Sequence, residues 1–323
     1  MRVCVFIMST DAIHSQANTS AMRDTFVKIA DSGVLNNEYV FVEYMCDGVS
    51  PEYPIGSVRY ETPYESKSYY VAYINDIESI YRTFEKTISV FKTTLSGDFG
   101  NFDWVIRINI SNFLNIRLID HIIGMMQTDV VYCNRINTII DANVRYTNQI
   151  YPRGDMIMFG IDVFNKLLPH TNDFIYNDMS YKSRIMVDHI DDVLFGLCLL
   201  KTYGTEYVNK IIPLKYNFIP GSEINENEIS NKCISSRVKT IPPNVEYSGY
   251  SWDYNEYRDF DSKKMFKLNE VFESQVSDIE NAQLSDIFVD QTSVNDSIAI
   301  VMKKCSLIDL KKVAMINALN LKI

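Results

Sequence analysis

Small polar side chains follow an apolar run near the middle of the chain. The stretch Phe102–Asn115 opens with apolar, β-favouring residues, and Asn109 and Ser111 come where that run ends. Open α/β sheets build ligand sites where a strand delivers polar groups at its carboxyl end. We therefore expect Asn109 and Ser111 to lie in a ligand site.

Two adjacent carboxylates form a second candidate group. Asp191 and Asp192 precede an apolar stretch that reads as a helix and ends near Gly204. A helix amino terminus favours negative charge, and a carboxylate placed there can act as a general base. The alternative is that one of the two is only the helix cap.

Several cations and one glycine complete the set of candidates. Arg237 and Lys239 lie on the same side of a short extended segment, because side chains alternate along a strand. Gly154 allows a close backbone approach and Asp155 follows it, although the pair could also be an ordinary turn. Arg23, on a helix after the first strand, could reach a phosphate or a carboxylate, or could simply be solvated.

Composition limits the classes of partner. The net charge is -10 and the pI is near 5.0, which argues against nucleic acid or an anionic membrane as the main partner. An anionic ligand would then depend on a few local cations. With 46% apolar and 22% charged residues, the 323-residue chain is expected to fold as one large domain or two ordinary ones.

Cysteine usage and hydropathy indicate a compartment. The six cysteines are scattered without a CxxC pair, which favours buried free thiols in a reducing compartment over a disulfide framework. The apolar start Val3–Met8 is too short for a signal peptide, and no run reaches the roughly 20 apolar residues of a membrane span. We expect no membrane span and a cytoplasmic protein, either bacterial or in the host cell of a virus.

The hydrophobic pattern alternates between strand and helix. Val3–Met8, Glu38–Tyr44 and Asp129–Cys133 read as strands, and Ile77–Leu95 has the apolar spacing of a helix. The polar stretch Ser9–Ser20 is expected to be a loop. We predict an α/β domain over residues 1–272 and a small C-terminal helical appendage over 273–323, which could also support a homo-oligomer.

Six motifs occur in an order that resembles a known family. Ala21–Phe26 has two apolar residues, Arg, any residue, Thr and an aromatic; Lys86-Thr87 or Lys92-Thr93 then forms a Lys-Thr pair on a helix. Tyr151–Leu168 has a Tyr-Pro, Gly, strand and helix arrangement, and His189–Gly204 has an acidic pair, Val and Gly before an apolar helix. The central stretch and the first strand complete the set.

These motifs resemble the β1,3-galactosyltransferase and Fringe-like glycosyltransferases of the GT-A fold. At the central strand, Asp103, Arg107, Phe113 and Asn115 match the family pattern. The family's acidic metal-binding triplet is replaced by Asn109-Ile110-Ser111. The resemblance covers residues 1–204, about two thirds of the chain.

The resemblance implies a Rossmann-like mixed sheet flanked by helices and a specific activity. The protein would move a sugar from a UDP- or GDP-sugar to a glycan or glycoprotein acceptor, with inversion. Ser9 and Thr10 would touch the nucleoside, and Gly154 and Asp155 would border the donor sugar. Asp192 would be the catalytic base, with Asp191 the second candidate.

The neutral triplet changes what this resemblance implies about metal. Asn109 and Ser111 cannot supply the carboxylates that Mg²⁺ or Mn²⁺ prefers, so we expect them to hydrogen-bond the donor's ribose or phosphate. No cofactor is then required, with Mn²⁺ or Mg²⁺ kept as the alternative. Cations would neutralise the leaving diphosphate. The candidates are Arg23, Arg107, Arg237, Lys239 and Arg258.

Three other interpretations remain open. A nucleotidyltransferase would share the nucleotide-binding half, but it would carry a Gly-rich basic loop after the first strand, where this chain has Ser9–Ser20. A degenerate transferase fold could serve as a carbohydrate-binding or scaffold protein, as the neutral triplet suggests. An assembly module would act through its C-terminal helices.

Overall fold

A computed structural model describes most of the chain. It covers residues 1–10, 13–62, 66–78, 83–97, 99–139, 149–153, 155–172, 191–241 and 258–289. Among these, no helix is both long enough and apolar enough to cross a bilayer.

An eight-stranded mixed sheet forms the centre of the molecule. Its order is β11-β7-β10-β5-β1-β2-β4-β3, with β10 and β3 antiparallel to their neighbours and the other pairs parallel. The three-stranded sheet β12-β13-β6 and the hairpin β8-β9 adjoin it. The strands are β1 Arg2–Met8, β2 Glu38–Cys46, β3 Val58–Glu61, β4 Tyr69–Ile74, β5 Trp104–Asn109, β6 Asn112–Leu114, β7 Val131–Cys133, β8 Ile136–Ile139, β9 Gln149–Pro152, β10 Met156–Gly160, β11 Ile211–Pro213, β12 Tyr216–Phe218 and β13 Ser235–Arg237.

Helices cover both faces of the sheet. They are α1 Ile13–Met22, α2 Lys28–Asp31, α3 Thr83–Ser96, α4 Ile116–Ile122, α5 Ile161–Thr171, α6 Asp191–Tyr203, α7 Arg258–Ser274, α8 Val276–Glu280 and α9 Leu284–Ile287. A π-helical turn, Arg23–Val27, joins α1 to α2. The prediction of an α/β protein with a mixed sheet flanked by helices is confirmed.

Strand alternation divides the core into two layers. On β1, Val3, Val5 and Ile7 pack against α1, α4 and α7, whereas Cys4 and Phe6 pack against α3, α5 and α6. Successive side chains of a strand point to opposite faces, so each central strand contributes to both layers. We call these the α7 face and the α6 face. The strands are apolar nearly throughout, because both faces are covered.

A buried ion pair attaches α7 to the small sheet. Lys264 Nζ lies 3.4 Å from Asp261 Oδ1 and donates to the carbonyl oxygens of Ile219 (3.0 Å) and Gly221 (2.9 Å). Asp261 also accepts hydrogen bonds from the backbone N–H and the hydroxyl of Thr240. Because both charges are buried and multiply bonded, removing either one would leave the other uncompensated.

Two local features differ from the sequence-based expectation. The predicted loop Ser9–Ser20 is wrong from Ile13 onwards, because Ile13–Met22 is helical and packs along α7. The helix predicted for Ile77–Leu95 is confirmed from Thr83 onwards, but Ile77 and Glu78 are not helical and Ile77 is exposed. Helix α7 runs to Ser274, and Ile279 and Ile287 beyond it join the core, while residues 290–323 lie outside the described part. The division at residue 272 stays a prediction.

Candidate functional site

Polar residues collect at the carboxyl ends of the parallel strands. Met8 on β1 is paired with Asn109 on β5, and the Ile110 N–H donates to the Met8 carbonyl at 3.3 Å. The Asn109 N–H donates to the carbonyl of Asp155, which lies just before β10. Adjacent strands are about 4.8 Å apart, so Ser9, Asn109 and Asp155 follow one another along this edge.

Asp155 is surrounded by three arginines, a group that we call the Asp155 cluster. Its carboxylate lies 2.5 Å from Arg135 Nη2, 3.3 Å from Arg237 Nη1 and 3.6 Å from Arg153 Nε. Burial by itself would raise the pKa of Asp155, but the three guanidinium groups outweigh it and hold that pKa at about 2. The cluster therefore carries three positive charges against one negative charge.

The elements around the cluster explain why it forms. Arg135 lies two residues past β7, Arg153 follows β9, and Arg237 ends β13. Asn112 joins the two sheets, because its Nδ2 donates to the Asp155 carbonyl while its Oδ1 accepts from Arg237 Nη1 at 3.1 Å. Sequence reasoning identified Asp155 and Arg237 but missed Arg135 and Arg153. The available signal for Arg135 was a cation two residues after the predicted strand Asp129–Cys133.

Unpaired polar atoms lie beside the cluster. Within the described residues, Asn109 Oδ1, Asn134 Nδ2 and Arg237 Nε are buried and have no hydrogen-bond partner. A buried polar group without a partner costs about 1–3 kcal/mol, so native proteins rarely leave several together. A polar, anionic ligand bound at this edge of the sheet would form hydrogen bonds with this one acceptor and these two donors.

Lys86 brings a further cation to the same edge. Its buried ammonium donates to Glu78 Oε1 at 2.7 Å, to Glu78 Oε2 at 3.0 Å and to the carbonyl of Ser9 at 3.2 Å. Its neighbour Thr87 hydrogen-bonds the Tyr44 hydroxyl at 3.0 Å. Lys92, in the other Lys-Thr pair, instead donates to Asn172. The first Lys-Thr pair is therefore the one that reaches the predicted nucleoside loop.

Arg23 lies on the α7 face, away from Lys86. Its guanidinium stands 5.9 Å from the ring centre of Tyr69, whose hydroxyl donates to the buried carboxylate of Glu43. Burial raises the pKa of Glu43, while hydrogen bonds from Tyr69, Ser9 and Thr19 and the charge of Arg23 act to lower it. In this setting Arg23 is a counter-ion for Glu43, and its predicted contact with the donor stays untested.

Arg107 and Asn109 have their side chains on the α6 face. Ile106 and Ile108 of β5 belong to the α7 face. Because side chains alternate along a strand, Arg107 and Asn109 point to the α6 face. Arg107 lines a small cavity with Phe84, Phe91 and Phe195, and its Nη2 lies 3.1 Å from Met8 Sδ. It is buried close to the carboxyl edge.

Asp192 lies in the first turn of α6. The carboxyl end of α6 leads through Gly204–Lys210 to the amino end of β11. The amino terminus of α6 therefore points to the carboxyl edge of the sheet. Gly196 permits this packing, because a Cβ there would come within 2.6 Å of Tyr151 Cβ. Asp192 Oδ1 accepts from the N–H of Val193 at 2.9 Å, which leaves the helix-cap alternative open.

The structure describes the side chains of four remaining predicted residues. Ser111 is buried, and its carbonyl accepts from the N–H of Val238 at 3.0 Å. Ser9 is buried, Thr10 follows it, and Lys239 lies two residues beyond Arg237. Gly154 and the side chains of Asp191 and Arg258 lie outside the described residues.

The described residues do not fit a divalent metal at this edge. Within the part of the chain that the structure describes, no three His, Cys, Asp or Glu side chains converge in a way that could hold a metal ion. The carboxylate next to Asn109 in this part of the fold belongs to Asp155, which accepts a hydrogen bond from Arg135 and forms ion pairs with Arg153 and Arg237. A dication would be repelled by the net charge of this cluster.

Comparisons with known proteins give one kind of match. No family model matches the chain, and no curated protein matches it. Among solved structures it is similar to the galactosyltransferase LgtC in complex with donor and acceptor sugar analogues, with a TM-score of 0.37 and 8% identity over 80% of this chain and 95% of that one. An active-site mutant of LgtC gives a TM-score of 0.36 and 10% identity with the same coverage. At these scores the likeness carries no argument about the site.

Proposed function

We propose that this protein is a glycosyltransferase of the GT-A type that binds a nucleotide sugar along the carboxyl edge of its sheet. The observation that carries the proposal is the Asp155 cluster beside the unpaired Oδ1 of Asn109. Buried and partly buried cations at the ends of parallel strands are suited to a diphosphate. The motif order found in the sequence supports the same class.

The donor would lie across the edge from β2 to β10. Its nucleoside would rest near Ser9 and Thr10, and its diphosphate near Lys86, Asn109 and Arg237. Lys86 and Arg237 are both buried and already held in place by hydrogen bonds, so they would lose little conformational entropy on binding. Uridine and guanosine diphosphate sugars are the donors to test first.

Transfer would proceed without a metal ion. The acceptor hydroxyl oxygen attacks the anomeric carbon, the bond from that carbon to the diphosphate oxygen breaks, and the nucleoside diphosphate leaves with the electron pair. Lys86 and Arg237 stabilise the negative charge that develops on it. Asp192 takes the acceptor's proton, and a single displacement of this kind inverts the anomeric centre.

The decisive experiment measures sugar transfer and donor hydrolysis in the presence of EDTA. Purified protein is incubated with a panel of UDP- and GDP-sugars, and release of the nucleoside diphosphate is followed. Metal-free turnover of at least one donor is expected. If EDTA abolishes the activity and Mn²⁺ restores it, the metal-independent mechanism is wrong. If no donor binds, the result counts against a transferase.

A second function is a carbohydrate-binding protein on a degenerate transferase fold. The observation in its favour is that Asn109-Ile110-Ser111 is neutral and that Asp155 is already neutralised by arginine. Such a protein would bind glycans but show no thermal shift with any nucleotide sugar. The same donor panel therefore separates the two functions.

The working compartment is proposed to be reducing, such as cytoplasm. Among the described residues, Cys4, Cys46, Cys133, Cys198 and Cys233 are buried free thiols. Burial raises the pKa of Cys46 to about 12 and that of Cys233 to about 11, which keeps both thiols unreactive. Free, protonated thiols of this kind are typical of reducing compartments.

A further inference from the structure

The carboxylate of Glu78 is fixed beside the carboxyl ends of β1 and β2. Its Oε2 accepts a hydrogen bond from the N–H of Cys46, the last residue of β2, at 3.1 Å. Both of its oxygens accept from Lys86, whose ammonium also donates to the carbonyl of Ser9, just past the end of β1. These bonds hold the carboxylate next to the segment that the proposed function assigns to the nucleoside.

Glu78 keeps the capacity to accept further hydrogen bonds. Within the described part of the chain it accepts one hydrogen bond at Oε1 and two at Oε2. An ionised carboxylate offers about four lone-pair sites. The Glu78 side chain is 32% exposed, whereas that of Lys86 is 4% exposed. The cation is therefore buried, and the carboxylate that covers it is open to a ligand.

The position of Glu78 matches the middle of a bound nucleotide. In a nucleoside diphosphate the ribose connects the base to the diphosphate. The proposed function places the nucleoside near Ser9 and the diphosphate near Lys86 and Asn109. Glu78 Oε1 lies 2.7 Å from Lys86 Nζ, and that same Nζ lies 3.2 Å from the Ser9 carbonyl oxygen. A ribose that spans these two groups passes next to the carboxylate.

The two hydroxyl groups of a ribose are the partners that suit this carboxylate. Each hydroxyl can donate one hydrogen bond, and an ionised carboxylate acts only as an acceptor. A hydrogen bond to an ionised acceptor is stronger than one between neutral groups. Lys86 offsets the negative charge of Glu78, which would otherwise repel the nearby diphosphate.

We infer that Glu78 recognises the ribose of the donor by accepting hydrogen bonds from its 2′- and 3′-hydroxyl groups. The inference rests on the proposed transferase function, and it specifies the donor as a ribonucleotide sugar. Glu78 is then a specificity-determining residue, because a 2′-deoxyribonucleotide leaves one of these hydrogen bonds unmade.

The experiment compares nucleotides that differ only in the 2′-hydroxyl. Calorimetric titrations of the full chain use UDP with 2′-deoxy-UDP and GDP with 2′-deoxy-GDP. The wild type is expected to bind the ribonucleotide about tenfold or more tightly, because its 2′-hydroxyl donates to an ionised acceptor. Glu78→Gln keeps the size of the side chain but removes its charge. The preference for the ribonucleotide should then fall to about threefold or less.

Glu273 on α7 provides a matched control. Its side chain is 33% exposed, and its two oxygens accept from Arg117 at 2.6 and 2.7 Å. Glu273→Gln therefore weakens an ion pair of similar geometry and exposure, between α4 and α7. It should leave the preference for the ribonucleotide unchanged. Thermal unfolding of both variants establishes that each is folded.

Three results would overturn the inference while leaving the transferase intact. The first is equal affinity of the wild type for ribo- and 2′-deoxyribonucleotides. The second is the same preference in the wild type and Glu78→Gln. The third is tighter UDP binding by Glu78→Gln than by the wild type, because Glu78 would then compete with phosphate for Lys86. If the wild type binds neither UDP nor GDP, the proposed function fails and the inference fails with it.

Discussion

Asp155 and Arg237 meet at 3.3 Å, although Asp155 precedes a strand of the eight-stranded sheet and Arg237 ends a strand of the three-stranded one. The contact joins the two sheets beside the ends of β1 and β5. It therefore has two consequences that can be separated, one for stability and one for ligand binding.

The first prediction concerns acid stability. The pKa of Asp155 is lowered from 3.8 to about 2, so its contribution to the free energy of unfolding is present above about pH 4 and is lost as pH falls towards 2. The shift corresponds to about 2 kcal/mol. Urea unfolding of the wild type and Asp155→Asn at pH 5, 4, 3 and 2 should show this loss in the wild type alone. Parallel pH dependence in the two proteins would contradict the assignment.

The second prediction concerns Lys86. Lys86→Gln removes a buried cation on α3 that donates to the carbonyl of Ser9, so the Kd for UDP or GDP should rise about tenfold or more. Lys92→Gln is the control on the same helix, because Lys92 bonds Asn172 instead. Calorimetric titration measures both variants. Equal affinity in Lys86→Gln and Lys92→Gln would remove Lys86 from the site.

The third prediction concerns the base. Asp192→Asn should lower turnover about a hundredfold or more while leaving nucleotide binding intact, because the amide cannot accept the acceptor's proton. Asp162 lies in the first turn of α5 and is exposed, so Asp162→Asn controls for the loss of a first-turn carboxylate. If both variants keep full turnover, Asp192 is only a helix cap.

The fourth prediction separates structure from site. Asp261→Asn leaves the buried Lys264 without its carboxylate and should cost about 3 kcal/mol of unfolding free energy. Asp259→Asn, exposed on the same helix, should cost little. Chemical denaturation measures both, and UDP affinity should be unchanged in each. A cost below about 1 kcal/mol for Asp261→Asn would show that the pair is dispensable.

Strand patterns predicted the carboxyl edge well. A buried parallel strand reads as a continuous apolar run, so the ends of β1 and β5 and the positions of Ser9 and Asn109 follow from local sequence. Asp155 was instead named from the family resemblance, and it lies just before the antiparallel strand β10. These predictions depend only on residues close together in the chain.

Long-range contacts were the part that local sequence could not provide. Arg135 and Arg153 reach Asp155 through the pairing of β7 with β10 and of β8 with β9, which no periodicity specifies. The predicted loop Ser9–Ser20 proved helical over Ile13–Met22, because packing against α7 outweighs its weak apolar pattern. Arg23 was assigned to the donor without knowledge that Glu43 lies beside it.

The central claim is that cations, and no metal, hold a nucleotide sugar at the carboxyl edge. The most direct test is calorimetric titration of UDP and GDP in EDTA, using wild type, Arg237→Gln and the control Arg117→Gln, whose arginine pairs with Glu273 elsewhere. The account predicts that one nucleotide binds without metal and that Arg237→Gln alone weakens it about tenfold or more. Binding that vanishes in EDTA and returns with Mn²⁺, or equal affinity in all three proteins, would contradict it.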